Sequence, residues 1–110
     1  MDYIQASERF NFDKFLIRLT DMNYLDVLDT IDKEIRNVEN LKIPSKSQYK
    51  RDIEYLQVSY VSDLKGISFL LGQGIKPSGV KSEILLKSKP ILEELVKKGQ
   101  LKDSILKLIE

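Results

Sequence analysis

The sequence predicts an all-α fold, a small helical bundle with a long central helical hairpin and short C-terminal helices. Tyr49, Ile53, Leu56, Tyr60, Leu64, Ile67 and Leu71 recur at alternating spacings of four and three. Upstream, Tyr24, Leu28, Ile31, Ile35, Val38 and Leu41 follow the same rhythm. Such spacing lays apolar side chains along one face of a helix. Between the two series, Pro44 forces its predecessor out of helical geometry, while Ser45 with Gln48 has the form of a capping box for the helix that follows.

Taken in order, the first ten residues have mixed character. Asn11 is an N-cap candidate ahead of Phe12, Phe15, Leu16 and Leu19, with Asp13 suited to the positive helix end, so a helix is expected near 12–20. Asp21-Met22-Asn23 starts the next, over 23–41, and the long helix is expected over 46–71. Tyr55, Val58, Val61 and Phe69 lie off its main seam, which implies burial or contact on a second side. On that helix Ser59, Ser62 and Gly66 form a stripe of small residues that allows close approach or a kink. A β-hairpin over 55–71 is the rival reading. Gln57-Val58-Ser59-Tyr60-Val61 alternates, and Asp63-Leu64-Lys65-Gly66 has turn character. The seam favours the helix because it stays in phase for more than twenty residues.

Gly72-Gln73-Gly74 and Lys76-Pro77-Ser78-Gly79 mark a loop between a body, 1–74, and a tail, 75–110, of one domain spanning 1–110. Three short helices are expected in the tail, near 79–87, 90–98 and 102–109. Pro90 opens the second, Lys97 and Lys98 fall in its last turn, and Gly99 follows.

Composition narrows the function classes. Hydrophobic residues at 42% and charged residues at 32% describe an ordinary globular domain. No apolar run approaches the eighteen residues of a spanning helix, and Met1-Asp2-Tyr3-Ile4-Gln5 lacks the basic and apolar regions of a secretory leader, so no membrane role and a cytoplasmic location are expected. The chain has neither histidine nor cysteine. It therefore lacks the commonest general base and transition-metal ligand, as well as any thiolate chemistry, and no enzyme, cofactor or metal is expected. Gly72-Gln73-Gly74 does not continue into the Lys-Ser/Thr of a phosphate loop. Ser82, Ser88 and Ser104 lack the glycine frame of an activated nucleophile.

Three constellations remain. Asp26, Asp29 and Asp32 share a helix face, but Lys33 and Arg36 stand four residues after Asp29 and Asp32, the arrangement of a solvated charged face. The net charge of +1 hides a division, with residues 1–44 at −3 and residues 75–110 at +3. In that basic tail Lys97, Lys98, Lys102 and Lys107 flank a glycine turn in the outline of a helix-turn-helix, and Lys76, Lys81, Lys87 and Lys89 extend the positive surface. Bidentate base readers and stacking platforms are missing there, since no arginine follows Arg51 and no aromatic follows Phe69. The third constellation is Tyr55, Val58 and Phe69, apolar anchors for a protein partner or a second copy of the chain. The leading expectation is a small regulatory or interaction module presenting a helical surface, with a homodimer as one form. Nucleic-acid binding by the lysines is the alternative.

Overall fold

The structure is a computed structural model and describes residues 1–44 and 49–110. Asp2 accepts a hydrogen bond from the Gln5 backbone at 2.7 Å, and Gln5 Oε1 accepts one from the Asp2 backbone at 2.9 Å. This reciprocal box starts α1, Tyr3–Arg9, in a stretch without apolar periodicity. Asn11 caps α2, Phe12–Leu19, and Asn23 caps α3, Tyr24–Glu39, each through its side-chain oxygen and the backbone N–H three residues on. The proposed box of Ser45 and Gln48 lies outside the described residues.

Helix α4, Lys50–Gln73, runs unbroken through the 55–71 stretch, which removes the hairpin reading. At 24 residues it is about 36 Å long, the spine of a molecule measuring 49 × 24 × 19 Å. Its seam is buried at Ile53, Tyr60, Leu64, Ile67 and Leu71. Tyr49 departs from expectation. It precedes the helix with φ +64°, is 57% exposed, and meets Tyr3 edge-on at 6.4 Å.

α3 and α4 form the expected antiparallel hairpin. Gln57 reaches Val38, Tyr60 reaches Glu34, and Leu71 meets Tyr24, so positions descend on one helix as they climb on the other. α1 packs on α4, and α2 packs on both α4 and the next helix, α5, Ser82–Lys97. Phe10, tilted, and Phe15, edge-on, pack against Tyr60 at 6.0 and 6.4 Å where α1, α2 and α4 meet.

The tail corrects two expectations. Helices near 79–87 and 90–98 are one continuous helix, α5, with Pro90 in its interior. Such a proline removes an i→i−4 hydrogen bond. Here it sits on the exposed side, while Ile84, Ser88, Leu92 and Leu95 keep an uninterrupted buried stripe beneath it and Ser88 Oγ donates to the Ile84 carbonyl at 2.9 Å. Packing of that stripe offsets the local break. Pro90→Ala is accordingly expected to raise stability by about 2 kcal/mol, the interior-proline cost of about 3 kcal/mol less up to about 1 kcal/mol of lost stiffening of the unfolded chain, read as a higher Tm. The expected helix at 102–109 is shorter than its pattern, a single turn, α6, Ser104–Lys107, which buries Ile105, with buried Ile109 following it.

Two helix ends also have distant partners. Gly99, at φ +75°, takes the left-handed position that ends α5, with its N–H bonded to Val96 and that of Gln100 to Leu95. The turn delivers the Gln100 side chain to the first backbone N–H of α3, at Tyr24, 2.6 Å away. The Tyr24 hydroxyl in turn donates to the Leu71 carbonyl, in the last turn of α4, at 2.7 Å.

Candidate docking groove on the long helix

The face of α4 opposite its seam carries Tyr55, Val58, Ser62, Lys65 and Phe69, three or four residues apart, with Gly66 beside Lys65. Tyr55 is 67%, Val58 68% and Phe69 47% exposed, while Val61 is buried, so this second side is packed at Val61 and uncovered at the other three. Val58 and Phe69 line an open groove of about 780 Å³, together with Val61, Ser62 and Gly66. Tyr55 is not part of its lining and stands one turn further toward the helix N-terminus, on the same face.

Two segments distant in sequence wall the groove. One is the end of α3, where Glu39 and Leu41 line it. Gln57 Nε2 fixes this wall by donating to the Val38 and Leu41 carbonyls at 2.6 and 3.0 Å, and Lys65 Nζ pairs with Glu39 at 2.6 Å across the rim. The other wall is Pro77, Ser78 and Val80 of the connection to α5. It lies so close to α4 that a Cβ built on Gly66 falls 2.1 Å from Val80 Cγ2. The small-residue stripe thus admits a loop, where a helix or a kink was expected. Beyond Phe69 a second hollow of about 450 Å³ continues toward Leu28, Asp32 and Ile35, sharing Lys65 and Phe69 with the first. Leu41, Val58, Val61, Phe69, Pro77 and Val80 make most of the first groove's lining apolar, with Glu39, Gln57, Ser62, Lys65 and Ser78 as its polar members, a surface that takes up hydrophobic side chains.

Under the bundle lies a polar cluster with no counterpart in the sequence reading. Glu34 is only 4% exposed. Arg9 forms two hydrogen bonds to it, at 2.8 and 3.1 Å, the Tyr60 hydroxyl donates to Oε2 at 2.6 Å, and Arg18 approaches to 3.8 Å. Tyr60 is buried as expected of a seam residue, and its hydroxyl is taken up by Glu34. Burial pushes the Glu34 carboxyl upward. The hydrogen bonds from Arg9 and Tyr60 and the nearby guanidinium charges outweigh this and hold it below the usual carboxylate value. Burial, then the Glu34 hydrogen bond, raise the Tyr60 phenol well above its ordinary range. Asp63 behaves oppositely to Glu34, its carboxyl raised by burial against a weaker pull from Lys81.

The remaining candidates are dispersed. Asp29 pairs with Lys33 at 2.9 Å as expected, whereas Asp32 accepts from Ser68 at 3.2 Å instead of pairing with Arg36. Among the described residues no three His, Cys, Asp or Glu side chains are grouped to hold a metal, and no helix is long and apolar enough to cross a membrane. Lys97, Lys98, Lys102 and Lys107 are exposed on both sides of the Gly99 turn, and neither hollow includes them. Lys98 Nζ reaches the Met22 carbonyl at 3.5 Å, and α6 offers four residues where the helix-turn-helix outline needs a recognition helix. No family model, curated protein or solved structure matches this chain.

Proposed function

We propose that this protein is a small, non-enzymatic interaction module of regulatory type, acting in the cytoplasm, that presents the outer face of α4 to a helical segment of a partner protein or of a second copy. The observation supporting this reading is the juxtaposition of exposed Val58 and Phe69 in one walled apolar groove, with exposed Tyr55 continuing the same face. A handful of apolar anchors in such a setting carries most of the energy of an interface.

The test is a pull-down from the native host with the wild-type chain and with Val58→Ser and Tyr55→Ala. Both side chains are largely exposed, so stability is expected to stay within about 0.5 kcal/mol of wild type. A stoichiometric protein that survives nuclease treatment and is lost with either variant supports the reading. Nucleic acid released by a modest rise in salt, and lost when Lys97, Lys98, Lys102 and Lys107 are neutralised, would replace it with the lysine-tail function.

A further inference from the structure

We infer that the occupant of the α4 groove is an acidic amphipathic helix of a partner protein, seated by its apolar stripe and held by cations around the rim. The inference rests on the docking reading above and adds the chemistry of the partner.

Length favours a helix over a small ligand. From Tyr55 to Phe69 the face spans fifteen residues of α4, about 21 Å, and the hollow beyond Phe69 prolongs it. A segment of four turns with apolar residues three and four apart matches that run.

Charge favours an acidic helix. Two acids on this side of α4 are already neutralised, Glu39 by Lys65 at 2.6 Å and Glu54 by Lys50 at 3.6 Å. The cations are not. Lys42 adjoins Leu41, Lys76 adjoins Pro77 and Lys81 adjoins Val80 in the walls, while Arg51 stands one turn before Tyr55; all four are exposed and form no ion pair among the described residues. Against them stand exposed Asp52, exposed Asp32 in the lining of the second hollow, and half-buried Asp63, the last within reach of the Lys81 charge. The surplus is positive at both walls, while Arg51 and Asp52 balance at the N-terminal end, an arrangement that draws in an acidic segment and turns away a basic one. A second copy is the poorer occupant. A two-fold interface presents the same rim to itself and would set these cations against one another.

The experiment is fluorescence anisotropy with the full chain and two labelled synthetic helices of about four turns. They carry the same Leu/Phe stripe and differ only in flanks of glutamate or lysine. The acidic helix is expected to bind about tenfold more tightly at low ionic strength, with the advantage shrinking as salt is added. Val58→Ser should weaken it, and combined Arg51→Glu, Lys42→Glu and Lys76→Glu should reverse the preference with the helical circular dichroism unchanged. Equal binding of both helices, still sensitive to Val58→Ser, would overturn the acidic partner and leave the groove reading standing. Binding of neither, or binding indifferent to Val58→Ser, would overturn both. A dimer abolished by Val58→Ser would assign the face to a second copy and also overturn the inference.

Discussion

Arg9→Met is expected to destabilise the protein by about 3 kcal/mol, the lower part of the range for breaking a buried ion pair by removing one partner. The loss comes from what remains. Glu34 keeps its buried carboxylate with only the Tyr60 hydroxyl at 2.6 Å and Arg18 at 3.8 Å, and Arg18 is largely in solvent. Removing the whole polar set is a different matter. Arg9→Met, Glu34→Met and Tyr60→Phe together leave no buried charge or hydroxyl to satisfy, and such replacements of similar volume are often neutral or stabilising. Urea unfolding of the single and triple variants should therefore rank them in the order opposite to the number of substitutions. Equal destabilisation by both would show that the cluster acts through packing alone.

The same cluster sets a pH dependence whose sign changes with Arg9. In the native protein the Glu34 carboxyl is held below its ordinary 4.5, so its contribution is complete above that value and is lost as pH falls through the lower folded-state value. The Tyr60 phenol is raised, so its contribution is complete below its ordinary 10.0 and is lost as pH climbs further. In Arg9→Met the strongest downward influence on Glu34 is gone while burial remains, so that carboxyl should titrate high and its acid-side effect should reverse. Asp63, raised in the native protein, slopes oppositely to Glu34 there, and subtracting the Glu34→Gln profile isolates the Glu34 contribution.

Gly66→Ala is expected to destabilise by about 1–2 kcal/mol, because overpacking costs 1–3 kcal/mol and the better helix propensity of alanine returns up to about 1 kcal/mol. The added methyl falls 2.1 Å from Val80 Cγ2, closer than any real contact, so the wall must move outward. Val80 also lines the groove, and partner binding should weaken along with stability. Val80→Ala removes both methyl carbons that meet the new Cβ most closely or at 3.3 Å, leaving the Val80 Cβ at 3.1 Å. The double variant should therefore recover most of the Tm lost by Gly66→Ala alone. Failure of that rescue would place the cost of Gly66→Ala somewhere other than the loop.

Legibility in the sequence followed the locality of the forces. The seam from Ile53 to Leu71 was readable because one continuous helix face is buried along its length, and the caps at Asn11 and Asn23 because their bonds span three residues. The box of Asp2 and Gln5 carried the same kind of signal, but no apolar rhythm accompanied it. At Pro90 two signals disagreed. The breaking rule is local, while the stripe Ile84, Ser88, Leu92 and Leu95 gains its energy from tertiary burial, and the stripe prevailed. Glu34 was hidden because it occupies the buried row of Val27, Ile31 and Val38 with a charge, and its partners Arg9 and Tyr60 lie 25 and 26 residues away. The off-seam side chains Val58 and Phe69 could be picked out from spacing, yet the walls at Leu41, Pro77 and Val80 could not, since no periodicity on α4 reports what lies across from it.

The closures at Tyr24 carry a consequence for how this molecule comes apart. Its backbone N–H depends on Gln100 and its hydroxyl serves Leu71, so the start of α3, the end of α4 and the turn after α5 share their terminal hydrogen bonds. Helix ends ordinarily fray one at a time, each at its own small cost. Three ends tied through one tyrosine must open as a single cooperative unit, and amide exchange at Tyr24, Gly74 and Gln100 should then slow or quicken together.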